Sequence, residues 1–229
     1  MAKKMIAGAV LALATGTTSA ATLYFNDFES SVGLAGAGNI TGAQGFAGIG
    51  AISGNIWRNA STGNPAAASS LSLGGIGAHN GLTIEFDFMA IDSWDGSTGA
   101  GGLVPPDFFN VEVDSGSEFK ETVDFAIESD GSISTSADAA LLFRGSNKGF
   151  TGWPDTVYHI TLNISGHNTS TAAINFFASG NGWQGGSDES WGIDNLKIST
   201  AASVPEPNTL LLLAGGLLAA GFSSRRRKA

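Results

Sequence analysis

The chain has 229 residues, a formal net charge of −9, 33 Gly, 6 Pro and no Cys. This length suits one globular domain with terminal extensions. Without Cys the chain can form no disulfide, thiolate nucleophile or Cys-ligated zinc or iron–sulfur site, and frequent Gly without a three-residue period excludes collagen and favours a turn-rich all-β protein.

The N-terminal residues 1–21 have the three parts of a secretory signal peptide. A basic start is followed by an apolar segment at residues 5–14 and by small residues at 17–21, where signal peptidase would cut. We expect cleavage after Ala20 or Ala21. The sequence therefore predicts export across the inner membrane.

Residues 22–203 form the predicted mature domain, which is strongly acidic. It contains five Lys and Arg residues against 19 Asp and Glu residues, a net charge of −14. A surface that binds DNA or RNA needs a basic patch, so the composition excludes nucleic acid as a partner. Divalent cations are compatible with such a surface, although an acidic face that only maintains solubility is the commoner explanation.

Period-two alternation of apolar and polar residues predicts β-strands along most of this domain. The alternation is clearest in residues 82–88, where every second side chain is apolar. Further strands are predicted at residues 22–28, 109–114, 122–128, 132–136, 140–144, 158–164, 172–178 and 191–198. Turn-forming clusters of Gly, Asp, Asn and Ser separate them. The pattern predicts an antiparallel two-sheet β-sandwich of the jelly-roll type, with long loops and short edge strands in residues 33–81.

Three segments of the domain carry further motifs. Residues 25–29 read Phe-Asn-Asp-Phe-Glu, residues 91–96 read Ile-Asp-Ser-Trp-Asp-Gly, and residues 189–196 read Glu-Ser-Trp-Gly-Ile-Asp-Asn-Leu. Together they resemble the laminin-G-like or concanavalin-like jelly-roll domains of bacterial surface proteins. The resemblance implies that the first and last strands lie side by side. Such domains include sugar-binding modules, adhesins, matrix proteins and some glycosidases, so the fold does not decide the function.

One strand raises the possibility of an enzyme. Glu85 and Asp87 lie on one face of the predicted strand, as in the Glu-x-Asp-x-x-Glu strand of one jelly-roll glycosidase family, but Ala90 stands where that family has its second Glu. Glycoside hydrolysis ordinarily needs two carboxylates across the scissile bond. We therefore assign no catalytic residue and predict a protein without enzymatic activity. A polysaccharide-active enzyme with an unrecognised site is the alternative.

Four Trp residues lie beside Gly, Asp or Asn in predicted loops: Trp57, Trp94, Trp153 and Trp183. An exposed indole could stack on a sugar ring, and Trp94, Trp153 and Trp183 are the candidate polysaccharide-binding residues. The alternative is that each indole caps the core of the sandwich. A fifth, Trp191, lies inside the last predicted strand and is expected in the core.

Two acidic residues are candidates for a structural calcium site. By strand parity, Asp27 shares a face with Leu23 and Asp194 shares a face with Leu196, so both carboxylates are expected to point inward. An unpaired carboxylate that faces a core is strongly disfavoured. A calcium ion could bind both, with Glu29 or Glu189 and backbone oxygens completing its ligands. The alternative is that both carboxylates accept backbone hydrogen bonds at turns.

The C-terminal residues 204–229 form a three-part tail. The motif Val204-Pro205-Glu206-Pro207 precedes a predicted apolar helix at residues 209–223, and the basic residues Arg225, Arg226, Arg227 and Lys228 follow. A comfortable transmembrane helix needs about 20 residues, so this apolar segment is a minimal span. The basic cluster would stay in the cytoplasm, which places the main domain on the other side of the membrane.

This tail resembles the PEP-CTERM sorting signal, which in its family is recognised and cut by a membrane exosortase in Gram-negative bacteria that make exopolysaccharide. The resemblance implies transient anchoring in the membrane, processing near Pro205, Glu206 and Pro207, and delivery to the cell surface or extracellular matrix. An ordinary permanent tail anchor is the alternative. The sequence as a whole predicts an exported protein of the exopolysaccharide or biofilm matrix that could bind polysaccharide, with a purely structural surface component as a further alternative.

Overall fold

The alternating segments form strands in the computed structural model, which describes residues 20–96, 105–121 and 138–201. The strands are β1 (Thr22–Asn26), β2 (Leu34–Gly36), β3 (Asn39–Gly42), β4 (Asn55–Asn59), β5 (Ser69–Gly74), β6 (Gly81–Asp92), β7 (Phe108–Val113), β8 (Gly116–Glu121), β9 (Asp138–Gly145), β10 (Asp155–Ser165), β11 (Thr171–Ser179) and β12 (Glu189–Thr200). One 3-10 turn, Gln44–Phe46, lies between β3 and β4. None of the helical structure in the described ranges is long and apolar enough to cross a membrane.

Several predicted elements lie outside the described residues. These are residues 1–19 of the predicted signal peptide, the strands predicted at residues 122–128 and 132–136, and the sorting tail with its apolar helix. Residues 20–201 form one compact unit.

The strands pair into two antiparallel sheets, which confirms the predicted two-sheet β-sandwich. The first sheet has the order β3-β4-β12-β6-β10-β9, with β1 also paired to β12, and the second sheet has the order β2-β5-β11-β7-β8. β1 lies antiparallel beside β12, with Asn26 opposite Leu196. The side-by-side arrangement of the first and last strands is therefore confirmed.

Aromatic side chains fill the core between the two sheets. Phe88 of the first sheet stacks on Phe109 of the second, with ring centroids 4.3 Å apart, and Trp191 meets Phe109 edge-on at 5.1 Å. Each fully buried side chain of this size contributes about 1.5–3 kcal/mol to folding. Trp191 is fully buried, which confirms its expected place in the core.

A second apolar cluster covers part of the outer face of the first sheet. The segment of residues 43–54 places Phe46 and Ile52 against Met89 and Val157, and all four side chains are buried. Strand β6 is therefore apolar on both faces near its C-terminal end, where the simple alternation of residues 82–88 stops.

Residues 33–81 contain more regular structure than predicted. The short strands β2 and β3 are edge strands as expected, but β4 and β5 are interior strands, each paired on both sides. In β4, Trp57 packs into the main core while Ile56 packs into the outer cluster. Because both faces of β4 are covered, no alternation marks this strand in the sequence.

Two β-bulges change which side chains face the core. In β12, Ile193 faces the core before the bulge and Leu196 faces it afterwards, because the pairing with β6 shifts there and Asn195 has a φ of 53°. The pairing of β1 with β12 also shifts, between Thr22 and Tyr24. A bulge inserts one extra residue and so reverses the parity of every side chain beyond it.

Candidate functional site

An open groove crosses the outer face of the second sheet. It has a volume of about 690 Å³ and lies over β7, β8 and β11. Because the odd-numbered residues of β7 face the core, the even-numbered ones line the groove. The lining residues that bear rings or polar groups include Phe108, Asn110, Glu112, Lys120, Phe177 and Asn181.

Two aromatic rings form the apolar part of the groove. Phe108 and Phe177 are half-buried, and the Lys120 ammonium lies 4.7 Å from the centroid of the Phe108 ring. Beneath them the buried Asn110 donates from Nδ2 to the Phe177 carbonyl at 3.2 Å and to Ser179 Oγ at 2.9 Å. This amide joins β7 to β11 beside the two rings.

A smaller recess continues the groove across the same face. It has a volume of about 240 Å³ and shares Pro65, Glu112 and Phe177 with the groove. Asn175 lines the recess and is held by Ser70, whose hydroxyl donates to Asn175 Oδ1 at 2.7 Å. The groove and the recess therefore form one continuous surface on this sheet.

The groove was missed by the sequence reasoning, although a signal for it exists. Phe108-Phe109 and Phe176-Phe177 are Phe doublets within alternating strands. Since successive side chains point to opposite faces, only one Phe of each doublet can enter the core. Phe109 and Phe176 do so, which leaves Phe108 and Phe177 for the outer face.

The structure contradicts the expected exposure of two of the candidate Trp residues. Trp94 is 0% exposed and Trp183 is 6% exposed, and their rings pack edge-on at 5.3 Å. Trp94 Nε1 donates to the Ser190 carbonyl at 2.7 Å, and Trp183 Nε1 donates to the Ser61 carbonyl at 3.0 Å. Each indole therefore gains apolar burial and still satisfies its N–H, so both residues belong to the core. Trp57 is also buried.

Trp153 is exposed, but it lies elsewhere. It is 51% exposed and precedes β10 of the first sheet, on the loop that follows β9. It does not line the groove. A role for Trp153 in ligand binding stays a prediction.

The inward orientation expected of Asp27 is wrong. In β1 the bulge turns Asn26 inward and leaves Asp27 exposed. Asp194 is 0% exposed, but the bulge at Asn195 places it on the opposite face of β12 from Leu196. The expected shared inward face therefore does not exist.

Backbone hydrogen bonds satisfy the Asp194 carboxylate. Its Oδ2 accepts from Ser53 N–H at 3.1 Å and its Oδ1 from Asn195 N–H at 2.7 Å. Burial raises the pKa of Asp194 to about 6, and the negative charges of Asp87 and Asp27 act in the same direction. The two hydrogen bonds act against this rise. This geometry matches the alternative in which the carboxylates accept backbone hydrogen bonds at turns. Calcium binding by Asp27 and Asp194 stays a prediction.

Glu85 and Asp87 are held by neighbouring side chains on the outer face of the first sheet. Lys197 Nζ lies 2.6 Å from Glu85 Oε2, and Asp87 is bound by His159 Nδ1 at 2.8 Å and Asn195 Nδ2 at 2.9 Å. These contacts link β6 to β10 and β12. The two carboxylates therefore connect neighbouring strands on the outer face of the first sheet.

A cluster of three carboxylates lies at one end of the sandwich. Asp95 follows β6, Asp107 precedes β7, and Glu189 begins β12. Burial raises the pKa of Asp107, and the charges of Glu189 and Asp95 raise it further. Burial likewise raises the pKa of Glu189 beside Asp188 and Asp95. Glu189, a candidate ligand for calcium beside Asp27 and Asp194, lies instead with this cluster.

Comparison with known proteins gives distant structural similarities. No curated protein matches this chain. The chain is similar to the CBM22-1 xylan-binding domain from Paenibacillus barcinonensis Xyn10C, with 10% identity and a TM-score of 0.43 over 82% of this chain and 100% of that one. It is also similar to the CBM22-1-GH10 modules of Clostridium thermocellum xylanase 10B complexed with xylohexaose, with 10% identity and a TM-score of 0.39 over 79% and 28% of the two chains.

A third similar structure is a cyclase from Fischerella sp. TAU, with 10% identity and a TM-score of 0.41 over 81% of this chain and 100% of that one.

The C-terminal tail gives the direct sequence match. Residues 203–228 match the family model of the PEP-CTERM protein-sorting motif, which confirms the resemblance of the tail and indicates export and sorting to the cell surface.

Proposed function

We propose that this protein is an exported, non-enzymatic protein of the cell surface or extracellular matrix that binds a neutral polysaccharide in the groove of its second sheet. The observation that carries the proposal is the combination of Phe108 and Phe177 with amide, carboxylate and ammonium groups along one open surface. Binding sites for small polar ligands typically combine aromatic faces with a few well-placed polar groups.

The charge of the domain favours a neutral ligand. The mature domain carries a net charge of −14, which would repel a polysaccharide rich in uronic acid. Within the groove, Lys120 and Glu112 supply one charge of each sign. A sugar hydroxyl can accept a hydrogen bond from the Lys120 ammonium or donate one to the Glu112 carboxylate. A neutral sugar chain can therefore bind both groups.

The groove favours binding over hydrolysis. Among its described lining residues, Glu112 is the one carboxylate, and a glycosidase ordinarily needs two across the scissile bond. Glu85 and Asp87 lie on the other sheet and are held by Lys197, His159 and Asn195. A binding protein needs only the contacts that the groove already offers.

The sorting motif accounts for delivery. We infer that an exosortase cleaves the exported chain near Pro205, Glu206 and Pro207 and releases the domain into an exopolysaccharide matrix. The domain would then meet polysaccharide at high local concentration, where even weak binding in the groove retains it.

Affinity electrophoresis of the purified protein tests the proposal. We expect retarded migration in gels that contain neutral polysaccharide from the producing organism, and little retardation in gels that contain uronic acid polymers. Incubation with the same neutral polysaccharide should release no new reducing ends. Release that depends on Glu112 would show an enzyme instead, and unretarded migration in every neutral polysaccharide would favour a structural component without a ligand.

A further inference from the structure

The carboxylate cluster of Asp95, Asp107 and Glu189 brings three chain segments together. One carboxylate oxygen of each residue lies within 4.8 Å of an oxygen from each of the others. Asp107 is 0% exposed and Glu189 is 1% exposed. Three acidic groups this close in a buried site repel one another strongly unless a positive charge or a proton lies between them.

Each of the two buried carboxylates uses only one of its oxygens in a hydrogen bond. Asp107 Oδ2 accepts from Asp95 N–H at 2.7 Å, and Glu189 Oε2 accepts from Gln184 N–H at 3.0 Å. The remaining oxygens, Asp107 Oδ1 and Glu189 Oε1, are buried and accept no hydrogen bond from any described residue. A buried acceptor without a donor destabilises the fold, and a charged acceptor does so more strongly, so this arrangement needs a further partner.

The backbone of Gly182 packs closely against the cluster. A Cβ atom on Gly182 would lie 2.8 Å from Asp107 Oδ1 and 2.1 Å from the Pro105 carbonyl oxygen. Gly182 therefore allows the backbone to approach both oxygens closely. The Pro105 carbonyl is thereby placed beside the cluster as a fourth oxygen.

We infer that Asp95, Asp107 and Glu189 bind one calcium ion, with the Pro105 carbonyl as a further ligand. Calcium takes six to eight oxygens at about 2.3–2.6 Å, and a cluster whose oxygens all lie within 4.8 Å of one another is compatible with those distances. Magnesium gives up its waters reluctantly and is usually held by one or two carboxylates. The three carboxylates and the carbonyl therefore favour calcium.

The surrounding side chains hold the ligands in place. Ser93 Oγ donates to the Asp188 carbonyl at 3.0 Å, and the buried Trp94 is bonded to Ser190, so the loop that carries Asp95 is fixed to the start of β12. Asp107 N–H donates to the Asp95 carbonyl at 2.8 Å. The ion would link the ends of β6, β7 and β12, which belong to both sheets.

Calcium titration of chelator-treated protein tests this inference. We expect one ion per chain and a rise in Tm on the order of 5 °C at saturating calcium, with a much smaller rise in magnesium. Terbium should replace calcium and emit on excitation of Trp, because Trp94 directly precedes one of the ligands. Emission should fall when calcium competes.

Glu189→Gln is the decisive variant, because its amide can still accept from Gln184 N–H and can donate to Asp107 Oδ1. It should therefore fold without calcium, melt no lower than chelator-treated wild type, and lose the calcium-dependent rise in Tm. Asp188→Asn removes the same charge from the neighbouring position and should keep the rise.

Asp27→Asn tests the other candidate calcium site and should also keep the rise. The inference is overturned if calcium leaves the Tm of wild type unchanged, if Glu189→Gln keeps the full response, or if Asp27→Asn abolishes it. The last result would place the ion at Asp27 and Asp194.

Discussion

Phe177 is the residue on which the proposed polysaccharide site most depends, because it lines both the groove and the recess that continues it. Its ring is half-buried, so it presents one part to solvent while the other part packs on the sheet. The neighbouring Phe176 lies in the core and holds the strand in register. The exposed part of the ring is therefore a rigid surface for a sugar to contact.

Phe177→Ala should lower the affinity for polysaccharide about tenfold, which corresponds to about 1.4 kcal/mol, because the stacking surface is lost. The free energy of unfolding should change by less than about 1 kcal/mol, since the side chain lies outside the core. Binding isotherms and urea unfolding of the same preparation measure the two quantities. Trp153→Ala, an exposed aromatic outside the groove, is the matched control. Loss of binding in Trp153→Ala but not in Phe177→Ala would move the site to the first sheet.

At the scale of residues, the sequence did not show which aromatic side chains are exposed. A loop has no periodicity that tells whether its Trp faces the core or solvent, so Trp94 and Trp183 could be assigned to either. Their burial depends on carbonyl acceptors at Ser190 and Ser61, which are distant in sequence. The Phe doublets, in contrast, lie in strands where alternation does fix one ring outside.

At the scale of elements, Asp155 connects the start of β10 to two other parts of the first sheet. Its Oδ1 accepts from Asp92 N–H at 2.9 Å, at the end of β6, and its Oδ2 accepts from Lys148 N–H in the loop after β9. Burial raises the pKa of Asp155 to about 6, and the negative charge of Asp92 acts in the same direction. The two hydrogen bonds and the positive charge of Lys148 act against this rise. This carboxyl thus holds its proton more tightly in the folded protein than in the unfolded chain.

This difference predicts how Asp155 affects stability as pH changes. Between its ordinary pKa of 3.8 and its folded pKa of about 6, the folded state binds more protons than the unfolded state, so the contribution of Asp155 to stability falls as pH rises. Below 3.8 that contribution is at its maximum. Asp155→Asn cannot titrate and should remove this part of the pH dependence.

Urea unfolding of wild type and Asp155→Asn across that interval measures the effect. The loss of stability caused by the substitution should shrink as pH rises from about 4 to about 6. The variant should be less stable overall, because an amide can accept only one of the two backbone hydrogen bonds. A difference between the two proteins that stays constant with pH would show that the Asp155 pKa is not raised.

The elements themselves were predictable where one face of a strand is buried and the other is polar. Residues 82–88 lie within β6, and residues 158–164 lie within β10, as their alternation predicts. β4 was missed because both of its faces are covered. The face of Asp194 was assigned wrongly because a bulge depends on how a strand pairs with its neighbour, and alternation along one strand contains no record of that pairing.

At the scale of the whole molecule, the sorting tail predicts the fate of the exported chain. Replacing Pro205, Glu206 and Pro207 with Ala, or deleting residues 225–228, should leave an unprocessed precursor in the membrane fraction. The first change removes the expected recognition motif, and the second removes the basic cluster that would keep the tail in the cytoplasm. Immunoblots of membrane and medium fractions measure both size and location.

A matched control replaces Pro154 with Ala, a proline of the folded domain outside the sorting motif. This variant should be processed and released like wild type. Equal size and equal distribution of tail variants and wild type would contradict the predicted role of the tail. Persistent membrane retention of the wild type itself would instead support a permanent anchor.

The pairing of β1 with β12 sets the order in which the exported domain can finish folding. Thr22 of β1 lies opposite Ser199 of β12, so nearly the whole domain lies between the two partners. A chain that crosses the membrane N-terminus first therefore presents β1 early, but β1 has no partner until β12 has also crossed. Residues 204–207 follow β12 closely in the sequence. The sorting motif would therefore reach the membrane at the same stage of translocation at which β12 becomes available for pairing. If the motif is processed as proposed, the order of the strands alone would make completion of the fold and exposure of the motif coincide in time.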